Sequence, residues 1–401
     1  MKRSPVVLAL ALALAAPAFA QSPDPAKLAA VKDRMQKFVD DGELAGAVTV
    51  FGNADGVFQH EAVGFANLEA KTPMAKDSIF RIASMTKPIT ALAVMILADE
   101  GKLSVDDPVE KHLPEFKGQM LVAAKDKDTV TLKKPARPIT LKDLLTHTSG
   151  LPGGYPSVFA DVYTKRNRTL AETTLVISQQ PLQFEPGSKW AYCNAGIDTL
   201  GRVVEVVSGE AFDAFLKKRV FDPLQMTDTA FHPSPEQLRR LATCYGPGPD
   251  GKLTPSSNLI VDFGKERKHP VPAGGLFSTG ADVAKLYRCL LGKGQLGEVR
   301  IISEKGLAEM TKVHTGDLQA GFGNGMGFGL GFAVVKKPVD ATEMLTPGTF
   351  GHGGAFGTQS WADPNQGLFF VLLIQRTGLK NGDQSAMRHE FQKLAVEAAK
   401  R

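Results

Sequence analysis

From Ile89 to Ala98 the chain is apolar at every position except Thr90. Such a run places a helix enclosed by protein on all sides rather than one lying on a surface. Asp99, Glu100 and Gly101 supply its polar end and its stop. Pro88 fits only the first helical turn, where its missing N–H has no partner to lose, so Ser84 stands at or just before the helix start. Ahead of this helix, Leu44 to Val63 reads as a hairpin: strand Ala45 to Phe51, a turn at Asn53-Ala54-Asp55-Gly56, and strand Val57 to Val63. The middle of the chain is helices and loops, among them Leu141 to Leu145 and Ile197 to Val207. Strand patterns return from about Met326, with Gly327 to Val335, Gly357 to Ala362 and the apolar run Leu368 to Ile374. A last helix runs from about Gln384 to Ala399.

Strands at both ends with helices between predict an α+β fold, an antiparallel sheet assembled from the two termini, flanked by helices and carrying an inserted, mainly helical lobe. The expected α/β lobe covers about 21–83 and 270–401, and the helical lobe about 84–269. Ser84 then falls at their junction, where catalytic clefts form.

The first twenty residues change the picture of where the protein works. Lys2 and Arg3 precede an apolar run from Val6 to Ala16, and Ala18-Phe19-Ala20 forms a small-residue cleavage site before Gln21, the pattern of a secretory signal over 1–20. The expected location is periplasmic or secreted, with no stable membrane anchor after cleavage. Losing Lys2 and Arg3 takes the formal charge from +5 to +3, too small and too dispersed to argue for a nucleic-acid partner. Three cysteines, Cys193, Cys244 and Cys289, allow at most one disulfide. No metal motif is present, and no cofactor is expected.

Ser84-Met85-Thr86-Lys87 holds the only serine followed three residues later by a lysine. On a helix these positions share a face, about 5 to 6 Å apart at Cβ, so the amine can take the hydroxyl's proton or hold its charge. Backbone N–H groups at a helix start also favour developing negative charge. Acyl transfer further needs a proton shuttle and oxyanion donors. Of five tyrosines only Tyr192 is followed two residues on by asparagine, in Tyr192-Cys193-Asn194, on a loop entering a helix near Ala195. Beside a cationic Lys87, its pKa is expected to fall so that it acts as general base and then as acid. Asn194 is a candidate for substrate binding or for the helix N-cap. A third element should close the cleft with a polar side chain and glycines. His314-Thr315-Gly316 follows a helical stretch and reads as a cap, and Lys380-Asn381-Gly382 reads as a turn. His352-Gly353-Gly354-Ala355 leads into a strand and is preferred.

These three segments in this order resemble the serine β-lactamase and penicillin-binding superfamily, on the class C β-lactamase-related branch that includes family VIII carboxylesterases and D-stereospecific peptidases. Leu144-Leu145-Thr146-His147-Thr148-Ser149-Gly150-Leu151 and Gly274-Gly275-Leu276-Phe277-Ser278-Thr279 are similar to other segments of it. The resemblance implies that Ser84 attacks a carbonyl, that Lys87 and Tyr192 manage its proton, and that Asn194 binds substrate or Lys87. It also implies substrate contacts from His352, Gly353 and Gly354, and an oxyanion hole from the backbone N–H groups of Ser84 and Ala355. Where class C β-lactamases carry Lys-Thr-Gly, this chain has His352-Gly353-Gly354. A histidine is mostly neutral near pH 7 and Gly353 removes a hydroxyl, which disfavours the β-lactam carboxylate and favours esters. The expected substrate is a small molecule: a short-acyl ester first, with a β-lactam or D-peptide as the alternative.

An α/β-hydrolase would need a Gly-x-Ser-x-Gly elbow, and the chain has none. It also lacks a Glu-x-x-Leu-Asn element, which argues against deacylation through a glutamate-held water. A catalytically idle peptidoglycan-binding module is the remaining contender, and retention of all the acyl-transfer side chains speaks against it. N-terminal sequencing of protein recovered from an exporting host is expected to start at Gln21. Recovery of the intact leader would overturn the cleavage assignment.

Overall fold

The computed structural model describes residues 23–159, 161–256 and 268–400. The leader assigned to 1–20 lies outside them. Eight strands form one sheet in the spatial order Met326–Phe328, Ala333–Val335, Phe350–Gly353, Gln359–Asp363, Leu368–Ile374, Gly46–Gly52, Val57–Asn67, Thr72–Pro73. Its centre joins the two ends of the chain: Ala47 pairs with Ile374 and Gly52 with Phe369, antiparallel.

The apolar run Leu368–Ile374 has no polar alternation because both of its faces are covered. Phe369, Val371 and Leu373 point into one core, against the buried Thr86–Asp99 helix and the Gly280–Leu291 helix. Phe370, Leu372 and Ile374 point into the other, beneath the Pro25–Asp40 and Ala386–Ala399 helices. The Asn53 turn forms as expected, with the Asn53 Oδ1 accepting from the N–H groups of Asp55 at 3.0 Å and Gly56 at 2.9 Å.

Two elements differ from the sequence pattern. Gly327 to Val335 is not one strand: Met326–Phe328 and Ala333–Val335 pair with each other across a turn. Gly331 takes a φ of +81° there and donates its N–H to the Leu145 carbonyl at 2.9 Å, which ties the turn to the helical lobe. Between the lobes' helices there is also strand structure, the hairpins Leu121–Lys125 with Val130–Lys133 and Tyr245–Pro247 with Leu253–Pro255.

The part of the fold that matters most for the site is the wrap of Pro270 to Leu276 around the Ser84 helix. Val271 turns the chain at φ +56°, and its carbonyl accepts from the N–H groups of Gly274 and Gly275 at 2.9 and 2.7 Å. A Cβ on Gly275 would lie 1.9 Å from the Pro270 carbonyl oxygen, so only glycine closes this turn. Thr90 donates its hydroxyl to Pro272 O at 2.7 Å, and Leu276 N–H donates to the Thr86 hydroxyl at 3.2 Å. On its other side the wrap is packed by the Asn194–Ser208 helix at Gly201, where a Cβ would stand 2.3 Å from Pro272 Cγ. Gly201→Ala is therefore expected to cost about 1–3 kcal/mol by overpacking, read as a loss in urea unfolding free energy. An unchanged unfolding midpoint would mean that this contact carries no packing constraint.

Candidate active site

Ser84 lies in the short helical turn Ala83–Met85 that leads into Thr86–Asp99. Ala83 is held at φ +46°, a conformation that costs a non-glycine residue energy and recurs where a backbone is shaped for function. The restriction that Pro88 puts on the residue before it does not keep Lys87 out of the helix. Its Nζ lies 3.0 Å from Ser84 Oγ and donates to the Ala273 carbonyl at 2.5 Å. Tyr192 OH lies 2.8 Å from the same Ser84 oxygen and donates to it. The Lys87 amine sits 4.7 Å from the centre of the Tyr192 ring. Serine, lysine and tyrosine, separated by up to 108 positions in sequence, thus meet at one oxygen.

The electrostatics reverse one expectation. Lys87 has no exposed surface. Loss of water lowers its pKa to about 7, against a smaller opposing pull from the Asp198 carboxylate. Tyr192 was expected to have a lowered pKa beside a cation; burial of its hydroxyl instead pushes it above the ordinary phenol value, with the Ser84 hydrogen bond a lesser opposing effect. The neutral amine of Lys87 is thus the better proton acceptor, and Tyr192 stays a phenol.

His352 is the penultimate residue of the Phe350–Gly353 strand and is buried. Its Nδ1 lies 2.6 Å from the Gly353 carbonyl. Burial, then the charge of Lys87, lower its pKa to about 3, so it is neutral. The end of this strand abuts the serine turn: Thr358 donates to Ile82 O at 3.3 Å, and a Cβ on Gly354 would lie 2.5 Å from that same oxygen. Among the described residues the N–H groups of Ser84 and Ala355 make no hydrogen bond, which leaves both open to an oxyanion. Asn194 opens the Asn194–Ser208 helix and is half-buried. Its N–H donates to Gly153 O at 3.3 Å, and no side-chain bond to Lys87 or Ser84 is present among the described residues. The N-cap position belongs to Cys193, whose Sγ accepts from Gly196 N–H at 3.3 Å and contacts Pro152 O at 3.2 Å. The three cysteines are free and buried.

Three groups escaped the sequence reading. His147, at φ +60°, accepts Ala191 N–H on its carbonyl at 2.9 Å and Cys193 N–H on Nδ1 at 3.1 Å. It brackets Tyr192 from both sides, with the two rings 4.7 Å apart. Asp198, one helical turn after Asn194, accepts from Ala273 N–H at 2.9 Å and so fixes the carbonyl that holds Lys87. An acid on an otherwise apolar helix face was its available signal. Phe322, 37% exposed, stands edge-on to Tyr192 and Trp190 and forms an aromatic wall at the mouth. Its sequence context of glycines gave no signal.

Residues 31–394 match the Beta-lactamase family. The chain belongs to that family. Relatives within reach include an uncharacterized protein of Mycobacterium tuberculosis, 35% identical, covering 85% of this chain and 88% of its own. Esterase EstB of Burkholderia gladioli is 32% identical over 87% of this chain and 91% of its own. Among solved structures, EstCE1, a hydrolase with promiscuous acyltransferase activity, superposes with a TM-score of 0.75 at 26% identity, covering 93% and 98% of the two chains. As a member of the Beta-lactamase family the chain is a serine hydrolase with a β-lactamase-like α+β fold.

Because Lys87 releases its proton near pH 7 while both histidines stay neutral there, labelling of Ser84 by a fluorophosphonate is expected to rise with pH through a midpoint near 7 and level off above it. A midpoint that disappears in His147→Asn would assign the titration to the histidine instead.

Proposed function

We propose that the protein is an exported carboxylesterase that cleaves short-acyl esters through an acyl-enzyme on Ser84. The observation that carries the reading is the convergence of Lys87 Nζ and Tyr192 OH on Ser84 Oγ beneath a neutral His352 and an aromatic wall. The Ser84 oxygen attacks the ester carbonyl while its proton passes to the neutral Lys87 amine. The new oxyanion lies against the N–H groups of Ser84 and Ala355. The C–O bond to the alcohol then breaks, and the proton reaches the leaving oxygen by way of the Tyr192 hydroxyl, which gives one proton and recovers another from Lys87. Water repeats the sequence in reverse and frees the acid. Gly353 and Gly354 let the substrate lie close to the strand edge, and Asn194 contacts it.

The ester preference is supported by what is missing from the closing strand. A lysine there would be a permanent anchor for a carboxylate, whereas a neutral imidazole is none. The name of the related EstB, an esterase, points the same way. The proposal of export rests on the Lys2-Arg3 and Val6–Ala16 pattern.

Parallel assays with p-nitrophenyl butyrate, nitrocefin and a D-Ala-D-Ala peptide are expected to give the highest kcat/KM on the ester. A higher value on nitrocefin or the peptide would overturn the ester reading. Ser84→Ala is expected to abolish turnover, and Tyr192→Phe to lower kcat by about a hundredfold or more, the usual scale for a lost proton shuttle. A near-normal rate in the tyrosine variant would remove it from the proton path.

A further inference from the structure

Asp198 is a carboxyl group in a place where one is costly. It has no exposed surface, and its helix neighbours Ala195, Ile197, Thr199 and Leu200 are buried with it. An acid is kept out of water only where hydrogen bonds satisfy its oxygens. Both oxygens are so held: Oδ1 accepts from Ala273 N–H at 2.9 Å, and Oδ2 accepts from the Tyr155 hydroxyl at 3.0 Å. His269 Nε2 lies 3.9 Å from Oδ2, and burial, then the charge of Arg166, lowers the pKa of this histidine to about 3, so it is a neutral neighbour. Arg166 is buried too and takes the His269 N–H on its carbonyl at 3.0 Å.

Ala273 connects this acid to the reaction. Its N–H meets Asp198, its carbonyl accepts from Lys87 Nζ at 2.5 Å, and the same amine lies 3.0 Å from Ser84 Oγ. A single residue thus bridges the carboxylate and the catalytic amine. The other titratable groups around that amine carry no charge near pH 7. His147 and His352 are held neutral by burial, then by Lys87 itself, while burial keeps Tyr192 a phenol and pushes the Cys193 thiol up to about 12. Among these groups the Asp198 carboxylate is therefore the charge that acts on Lys87, and it favours the ammonium form against the loss of water.

We propose that Asp198 is a positioning residue of the acyl-transfer step: through Ala273 it holds the Lys87 amine on Ser84, and its charge sets the pH range in which that amine takes the serine proton. The proposal concerns the attack of Ser84 itself and is the same for an ester, a β-lactam or a peptide. Its sign follows from the opposition of two effects. Without the carboxylate's charge, desolvation acts unopposed and the amine loses its proton at lower pH.

The test reads the pH profile of Ser84 labelling by a fluorophosphonate. Asp198→Asn keeps an acceptor for Ala273 N–H and loses the charge, so its midpoint is expected about one unit below that of the wild type, with the alkaline plateau close to the wild-type one. Asp198→Ala loses the acceptor as well, and its plateau is expected about tenfold or more below that of the Asn variant. Tyr155→Phe removes a donor that draws on the carboxylate's charge, and its midpoint is expected to move to higher pH. A merely structural role for Asp198 would lower the plateau and leave the midpoint where it is. An unchanged or raised midpoint in folded Asp198→Asn overturns the assignment. If that variant does not fold, Tyr155→Phe decides: a rise supports the proposal, and an unmoved or lower midpoint overturns it. Absence of labelling at Ser84 in the wild type overturns the nucleophile and this proposal together.

Discussion

Keeping the Lys87 amine out of water is the constraint on which the rest of the structure depends. An amine whose pKa falls from 10.5 to about 7 has given up roughly 5 kcal/mol of preference for its charged form, and the fold must supply a setting that enforces the loss. That setting is the apolar Thr86–Asp99 helix, closed over by the Pro270 to Leu276 wrap. What remains for the amine is the Ala273 carbonyl and the serine hydroxyl. Asp198 sits one step back, bonded to Ala273 N–H, which orients the carbonyl without giving the lysine a direct ion pair. A carboxylate in direct contact would have raised the pKa and lost the base.

The backbone is bent to serve this arrangement at three places. Ala83, His147 and Val271 all take positive φ, and each adjoins a residue of the site: the serine, the tyrosine loop and the lysine's carbonyl partner. Left-handed conformations cost a non-glycine residue roughly 1–2 kcal/mol, more for a β-branched one such as Val271. They persist where surrounding bonds over-determine them. For Val271 these are the two N–H bonds from Gly274 and Gly275, and for His147 the pair from Ala191 and Cys193. The strain is spent on fixing relative positions across elements that are far apart in sequence.

What could be read from the chain alone was whatever depends on short spacing or on a one-dimensional pattern. The Ser84 and Lys87 pair follows from helical period, the Leu368–Ile374 strand from its apolar run, and Tyr192 from being the one tyrosine with an asparagine two places on. What could not be read depends on neighbours brought in from a distance. The direction of the Tyr192 pKa is set by burial among residues of several elements. The break within Gly327 to Val335 follows from Gly331 meeting Leu145 of the other lobe.

The pairing of Gly46–Gly52 with Leu368–Ile374 has a consequence for how the protein comes into being. The strand that completes the centre of the sheet is synthesised long after its partner, so the first strand must wait through the whole intervening chain. During that wait its free edge is a row of unpaired peptide groups flanked by Val48, Val50 and Phe51, the kind of edge that recruits other chains. Its distant pairing also makes the sheet slow to close. A chain cut short before Leu368 would lack the central strand altogether while retaining its serine, lysine, tyrosine and histidine.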